Sequence, residues 1–185
     1  MSWRRRRGWL KGWALRPYWR LRALFGGSTV RVGKRFSLQG KVTFRGPGTV
    51  VFGDDVTVAS HTTPFTHAPD ARIEIGDRAF LNGTRFGCAR RISVGADTDV
   101  GDARIFDTDH HPLSRRRRTD HSLQPVVKPV VIEDNVWVGG GTAICRGVTI
   151  GHDSVIAFAA VVTKDVPPGR IWGGNPARDI GAVPD

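Results

Sequence analysis

Cysteine is scarce in this 185-residue chain, and long apolar runs are missing altogether. The two cysteines, Cys88 and Cys145, are too few and too deeply set in a repeat to form a disulfide scaffold, which points to a reducing compartment. No apolar stretch approaches the roughly 18–20 residues that cross a bilayer. The N-terminus has charge but neither an uninterrupted apolar core nor a cleavage site, so it does not read as a secretion signal. Acid is absent from residues 1–25, which carry eight of the arginines and lysines. Of the formal net charge of +11, that leaves +3 for everything else, so attraction to phosphate or anionic lipid is concentrated at one end.

What is present is a repeat. From Ile132 aliphatic residues recur at every sixth position: Ile132, Val138, Ile144, Ile150, Ile156 and Val162. Two residues before the next member of each step sits a small or branched residue: Val136, Thr142, Val148, Ser154, Ala160 and Val166. A helix repeats every 3.6 residues and a strand every 2, so a period of six suits neither alone. It suits short extended segments joined by identical turns and stacked so that one aliphatic side chain per segment points inward. Such self-similarity predicts a solenoid. Twenty-three glycines and eleven prolines supply turns, and the 39% apolar content argues against disorder.

Residues 1–25 set their basic side chains among four of the six tryptophans. Trp9, Leu10 and Trp13 can share one helical face, and past Pro17 so can Tyr18, Leu21, Leu24 and Phe25. Two compatible expectations follow. The segment caps the first coil, or it lies in an anionic membrane interface with its tryptophans at headgroup depth. No nucleic-acid motif accompanies the charge, so nucleic acid is not an expected partner. The period then begins less regularly, with Val32, Leu38 and Phe44 in step, then Phe52 and Val58 after a shift. Residues 59–72 read as a loop excursion holding His61 and His67. Ile75, Leu81, Val94, Val100 and Phe106 restart the repeat. A longer departure over 107–131 opens with Asp107-Thr108-Asp109-His110-His111-Pro112 and continues into Arg115–Arg118. A loop of that length inside a compact repeat is usually functional. Pro167-Pro168 ends the pattern, leaving 167–185 as a C-terminal cap. The domain boundaries are thus 1–27, 28–166 and 167–185.

The hexads, and above all the string NVWVGGGTAICRGVTIGHDSVIAFAAVVTKDVPPGRIWGGNPAR, resemble the hexapeptide-repeat acyltransferases, in their maltose/galactoside and polysaccharide O-acetyltransferase branch. The resemblance covers residues 28–180 loosely and 94–178 closely. It implies an all-β fold, a left-handed parallel β-helix with three hexads per coil. That hand is an exception to the usual right-handed crossover. It also implies a homotrimer with sites between prisms, acetyl-CoA as donor, and a sugar or glycan acceptor in the cytoplasm, with residues 1–25 as a route to the inner membrane face.

By the same resemblance His111, before Pro112, is the general base, with His110 as the alternative. Histidine suits that task at neutral pH, because a neutral alcohol is a poor nucleophile. Asp109 or Asp107 would orient the imidazole, although turn capping is an equally natural role for either acid. Asn82, Asp107 and His110 fall where acceptor contacts are expected. Gly139, Gly140 and Gly141 would let the pantetheine arm approach, and Thr163, Lys164 and Arg178 would meet the adenosine and phosphate end. One departure stands out. Related sequences read glycine-alanine-glycine where this chain has Ala157-Phe158-Ala159, which sets a bulky ring beside the expected groove.

Three other readings compete. N-acetylation of an amino sugar needs less help from a base. A non-catalytic trimeric scaffold would follow if Phe158 closes the groove. A γ-type carbonic anhydrase needs two zinc histidines separated by four residues, and none of the pairs 61/67, 110/111 or 111/121 has that spacing, so no metal is expected.

Overall fold

In the computed structural model, which describes residues 3–24 and 27–184, the hexads wind into a three-sided parallel β-helix of left-handed sense. Helix α1 (Trp3–Leu24) comes first. The first coil holds β1 (Thr29–Val32) and β2 (Ser37–Leu38). The second holds β3 (Thr49–Phe52), β4 (Thr57–Val58) and β5 (Thr63–Thr66). The third holds β6 (Arg72–Ile75), β7 (Phe80–Leu81) and β8 (Arg85–Cys88). The fourth holds β9 (Arg91–Val94), β10 (Asp99–Val100) and β11 (Arg104–Phe106). After the long loop come β12 (Val130–Ile132), β13 (Trp137–Val138) and β14 (Ala143–Ile144). Then follow β15 (Thr149–Ile150), β16 (Val155–Ile156) and β17 (Val161–Val162). The chain closes with β18 (Arg170–Gly173) and β19 (Arg178–Ala182), an antiparallel pair added to one sheet edge.

Equivalent strands stack in parallel into three sheets, β1-β3-β6-β9-β12-β15, β2-β4-β7-β10-β13-β16-β18-β19 and β5-β8-β11-β14-β17. The hexad residues fill the centre: Ile132, Val138, Ile144, Ile150, Ile156 and Val162 are all at most 1% exposed. The intervening set, Val136 to Val166, is buried as well. Along one edge of the prism each coil turns on a residue in left-handed backbone conformation, among them Arg35, Asp55, Arg78, Asp97, Asn135 and Asp153. Carboxylates stitch these corners together. Asp54 accepts the Lys34 N–H, Asp77 the Asp54 N–H and Asp134 the Ala96 N–H, each at 2.7 Å.

The structure corrects two expectations. Residues 59–72 do not leave the solenoid, because β5 lies within them and pairs in register with β8. The inward positions of this stretch are Thr62, Pro64 and Thr66, all buried, and they carry no aliphatic signal. Phe106 is not a core residue either. The corner from Val100 is one residue shorter than the corner from Val138, so Ile105 pairs with Ile144 and takes the interior place. Phe106 turns outward.

Helix α1 is continuous through Pro17 and caps the open end of the first coil. Pro17 sits on the exposed side, where the carbonyl it leaves unpaired meets water. Gly12 permits the close approach: a Cβ there would lie 2.7 Å from the Phe36 carbonyl oxygen. Trp19, 4% exposed, seals the end with edge contacts to Phe36 and Phe44 at 5.9 and 5.7 Å between centroids. Phe25 and the Leu24 side chain lie outside the described residues.

Candidate functional site

The shortened fourth-coil corner builds the site. Turned outward, Phe106 lies beside Gly87 on the third sheet, and Gly87 in turn pairs with Phe65 on β5. A Cβ on Gly87 would come within 2.4 Å of the Phe106 ring and 3.1 Å of His110, so only glycine leaves room for both. His110, itself in left-handed conformation at φ 60°, brings its ring to 5.0 Å from Phe106 and 5.0 Å from His67. His67 packs at 4.2 Å on Phe65. Burial holds the His67 imidazole below its ordinary pKa, and the charge of His110 adds to that. The sequence showed none of this row, because its glycine, two phenylalanines and two histidines come from three different coils.

The loop is anchored by its two acids. Asp107, expected as an acceptor contact, is wholly buried and is instead engaged by the backbone. Its Oδ1 accepts the Ala89 N–H at 2.6 Å, and its Oδ2 accepts those of Arg90 and Arg91 at 2.7 and 2.8 Å. The Cys88 thiol is pushed up to about 12 by burial, with the Asp107 charge adding to the effect, so it is an inert thiol. Asp109, expected to orient an imidazole, pairs with Arg146, whose Nε lies 2.9 Å from its Oδ2. Neither atom makes an aligned hydrogen bond, so the attraction is ionic. The loop closes by an antiparallel bridge between Thr108 and Val127 and by the Lys128 N–H donating to the Asp107 carbonyl.

His111 is exposed at the loop's start, and its N–H donates to the Asp109 carbonyl at 2.7 Å. Arg116 pairs with Asp120 within the loop, while Arg115, Arg117 and Arg118 are exposed. Asn82 is an exposed corner residue on the third coil, its N–H bonded to the Val100 carbonyl.

On the same sheet, β14 and β17 pair with Ile144 opposite Val162. Lys164 therefore stands one coil beyond Arg146, at the equivalent position and about 5 Å along the stack. Both Thr163 and Lys164 are exposed. Gly174 and Ala177 bond to Val161, so the C-terminal hairpin brings Arg178 to this end too. Arg146 could have been found from sequence, since it precedes Lys164 by one full coil.

Gly140 and Gly141 form the corner between the second and third sheets, and Gly140 accepts the Ala159 N–H. Phe158 is 79% exposed, and its ring edge would touch a Cβ on Gly140 at 3.7 Å. The ring lies along the surface beside the corner glycines. Ala159 holds the left-handed conformation, φ 58°, that a glycine adopts freely. The described residues contain no cluster of metal-ligating side chains.

The chain is similar to several known proteins. Residues 129–164 match the bacterial transferase hexapeptide family (six repeats). Nodulation protein L of Rhizobium meliloti is 36% identical over 138 residues, covering 72% of this chain and 67% of that protein. Galactoside O-acetyltransferase of Escherichia coli is 32% identical over 94 residues, 51% of this chain and 45% of that protein. The hexapeptide-repeat containing acetyltransferase VCA0836 from Vibrio cholerae, a crystal structure, is 28% identical with a TM-score of 0.55. That match covers 96% of this chain and 82% of the solved one. Several curated relatives are longer, and the chain spans 42% of the length of one from Schizosaccharomyces pombe.

Proposed function

Because this chain belongs to the hexapeptide-repeat acyltransferase family, we propose that it moves an acetyl group from acetyl-CoA to a sugar hydroxyl, with His111 as general base. The observation that carries this reading is one column of the third sheet. The loop bearing His110 and His111 leaves β11, Arg146 follows β14 and anchors that loop, and Lys164 follows β17 one coil further on. A cationic end for the donor phosphates and a histidine for the acceptor are thus two coils apart on one face. The E. coli relative is named for transfer to a galactoside, which supports a sugar as acceptor.

In the reaction, the His111 imidazole takes the proton of the acceptor hydroxyl as its oxygen attacks the thioester carbonyl. The tetrahedral intermediate then collapses, the C–S bond breaks, and the departing thiolate receives the proton from the imidazolium. Backbone N–H groups of a neighbouring turn would hold the oxyanion. Asp109 acts at one remove, fixing the loop through Arg146. Thr163, Lys164 and Arg178 meet the adenosine and phosphate end, while Gly140 and Gly141 lie along the pantetheine path. Exposed arginines 115, 117 and 118 suit an anionic glycan, and Asn82 and His110 would contact it. A homotrimer would complete the site between prisms. The donor and the two free thiols, Cys88 and Cys145, agree with a cytoplasmic setting, and glycan assembly at the inner membrane face is the natural supply of acceptor.

Calorimetric titration with acetyl-CoA tests this reading. Micromolar binding that weakens at least about tenfold in Lys164→Ala, the loss of one phosphate contact, supports it. Absence of binding at millimolar ligand would mean that Phe158 covers the groove, and the chain would then be a scaffold.

A further inference from the structure

The capping helix has a second apolar face that nothing among the described residues covers. On a helix of 3.6 residues per turn, Gly8, Gly12, Leu15 and Trp19 fall on one side, and these are the residues turned toward the first coil. Leu10, Trp13, Ala14, Pro17, Tyr18 and Leu21 fall on the opposite side, with Arg6 and Arg7 among them at the N-terminal end. There Leu10 is 69% exposed, Trp13 71%, Tyr18 57% and Leu21 55%. A helix that only closed a solenoid would need one apolar face and would show polar residues to water. This one carries apolar residues on both sides, with its basic residues between them and, at the N-terminal end, within the outer face.

The charge chooses the occupant. No acidic residue precedes Asp54 in the sequence, so every ionised side chain of this helix is positive. Lys11 and Arg16 lie between the two faces, where their heads donate to the carbonyls of Gly40 and Gly33 in the first coil. Beside them a groove of about 680 Å³ is lined by Arg7, Leu10, Lys11, Leu38 and Gln39, a mixture of cationic, polar and apolar side chains. A second copy of the helix would bring like charges together across the contact, which is unfavourable. An anionic bilayer satisfies both halves of the surface: acyl chains take the leucines and the ring of Trp13, and headgroup phosphates take the guanidinium and ammonium groups.

We infer that α1 is a two-sided helix which seals the solenoid with one face and lies on anionic lipid with the other. This does not depend on the acetyl-transfer reading, since no residue of the proposed active site is involved. The test is co-sedimentation of the full chain with phosphatidylcholine vesicles, with and without phosphatidylglycerol. The triple variant Leu10→Ser, Trp13→Ser, Leu21→Ser is run alongside, and circular dichroism confirms its fold. The native chain is expected to bind the anionic vesicles at least about tenfold more tightly than the neutral ones, and less tightly at high salt. The variant is expected to lose about tenfold or more, because its charge is intact but its apolar face is gone. Equal binding by the variant would reduce the effect to charge alone and overturn the proposal. So would failure of the native chain to bind, or a loss of self-association in the variant with no change on vesicles.

Discussion

Asp109 and Arg146, 37 positions apart in the chain, meet at 2.9 Å and tie the long loop to the coil above it. Their side chains are only 20% and 27% exposed, so removing one leaves the other poorly solvated. A double-mutant cycle of Asp109→Ala and Arg146→Ala, read by denaturant unfolding, should give a coupling of about 1–2 kcal/mol. Additive losses would show that the pair does not hold the loop.

The two neighbouring histidines can be separated by kinetics. His111→Ala should lower acetyl transfer by about two orders of magnitude or more while leaving acetyl-CoA affinity nearly unchanged. His110→Ala, which removes a ring from the row with Phe106 and His67, should raise KM for the acceptor more than it lowers kcat. A reversal of the two phenotypes would move the base to His110.

Ala159 provides a stability test with a definite sign. Its left-handed backbone, φ 58°, costs an alanine about 1–2 kcal/mol, more than glycine loses through its freer unfolded chain. Ala159→Gly should therefore raise stability by roughly 0.5–1 kcal/mol, seen as a higher Tm. A lower Tm would mean that the alanine methyl makes packing contacts worth more than the strain.

His67 predicts a pH effect. Burial and the charge of His110 hold its pKa below the ordinary value, so the unfolded chain binds the proton more readily than the folded one. Stability then falls as pH drops through about 6.5 toward the lower folded value. His152 works in the opposite direction. Its hydrogen bond to Asp153 raises its pKa, and the stability it adds below about 6.5 is lost as pH rises through the folded value. Tm measured from pH 7.5 to 5 should therefore decline less in His67→Gln and more in His152→Gln. Parallel curves for all three proteins would remove both assignments.

How much of this was readable beforehand depended on whether each residue's role was local. Ile132 to Val162 declared the solenoid because each hexad repeats the same inward step. Thr62, Pro64 and Thr66 hid a strand, since their inward positions lack aliphatic side chains and only pairing with β8 reveals them. One missing corner residue exchanged Ile105 and Phe106, and no count of period six detects a single five-residue step. Asp107 and Asp109 looked alike in sequence. The difference lies in what surrounds them, three backbone N–H groups for one and a guanidinium for the other. The two faces of α1 were half visible: Leu10 and Trp13 marked the outer one, while Gly8 and Gly12 gave no hint that they were the inner one.

The stacked coils also act as a ruler. The capping helix closes the first coil and the histidine loop leaves the fourth, so three coil spacings, about 14 Å, stand between the basic end and the acceptor site. If the helix rests on a surface, that spacing fixes the height at which a tethered glycan must present its hydroxyl. Inserting one coil between β2 and β3 would raise that height by about 5 Å and leave the helix and the row from Phe65 to His110 in place.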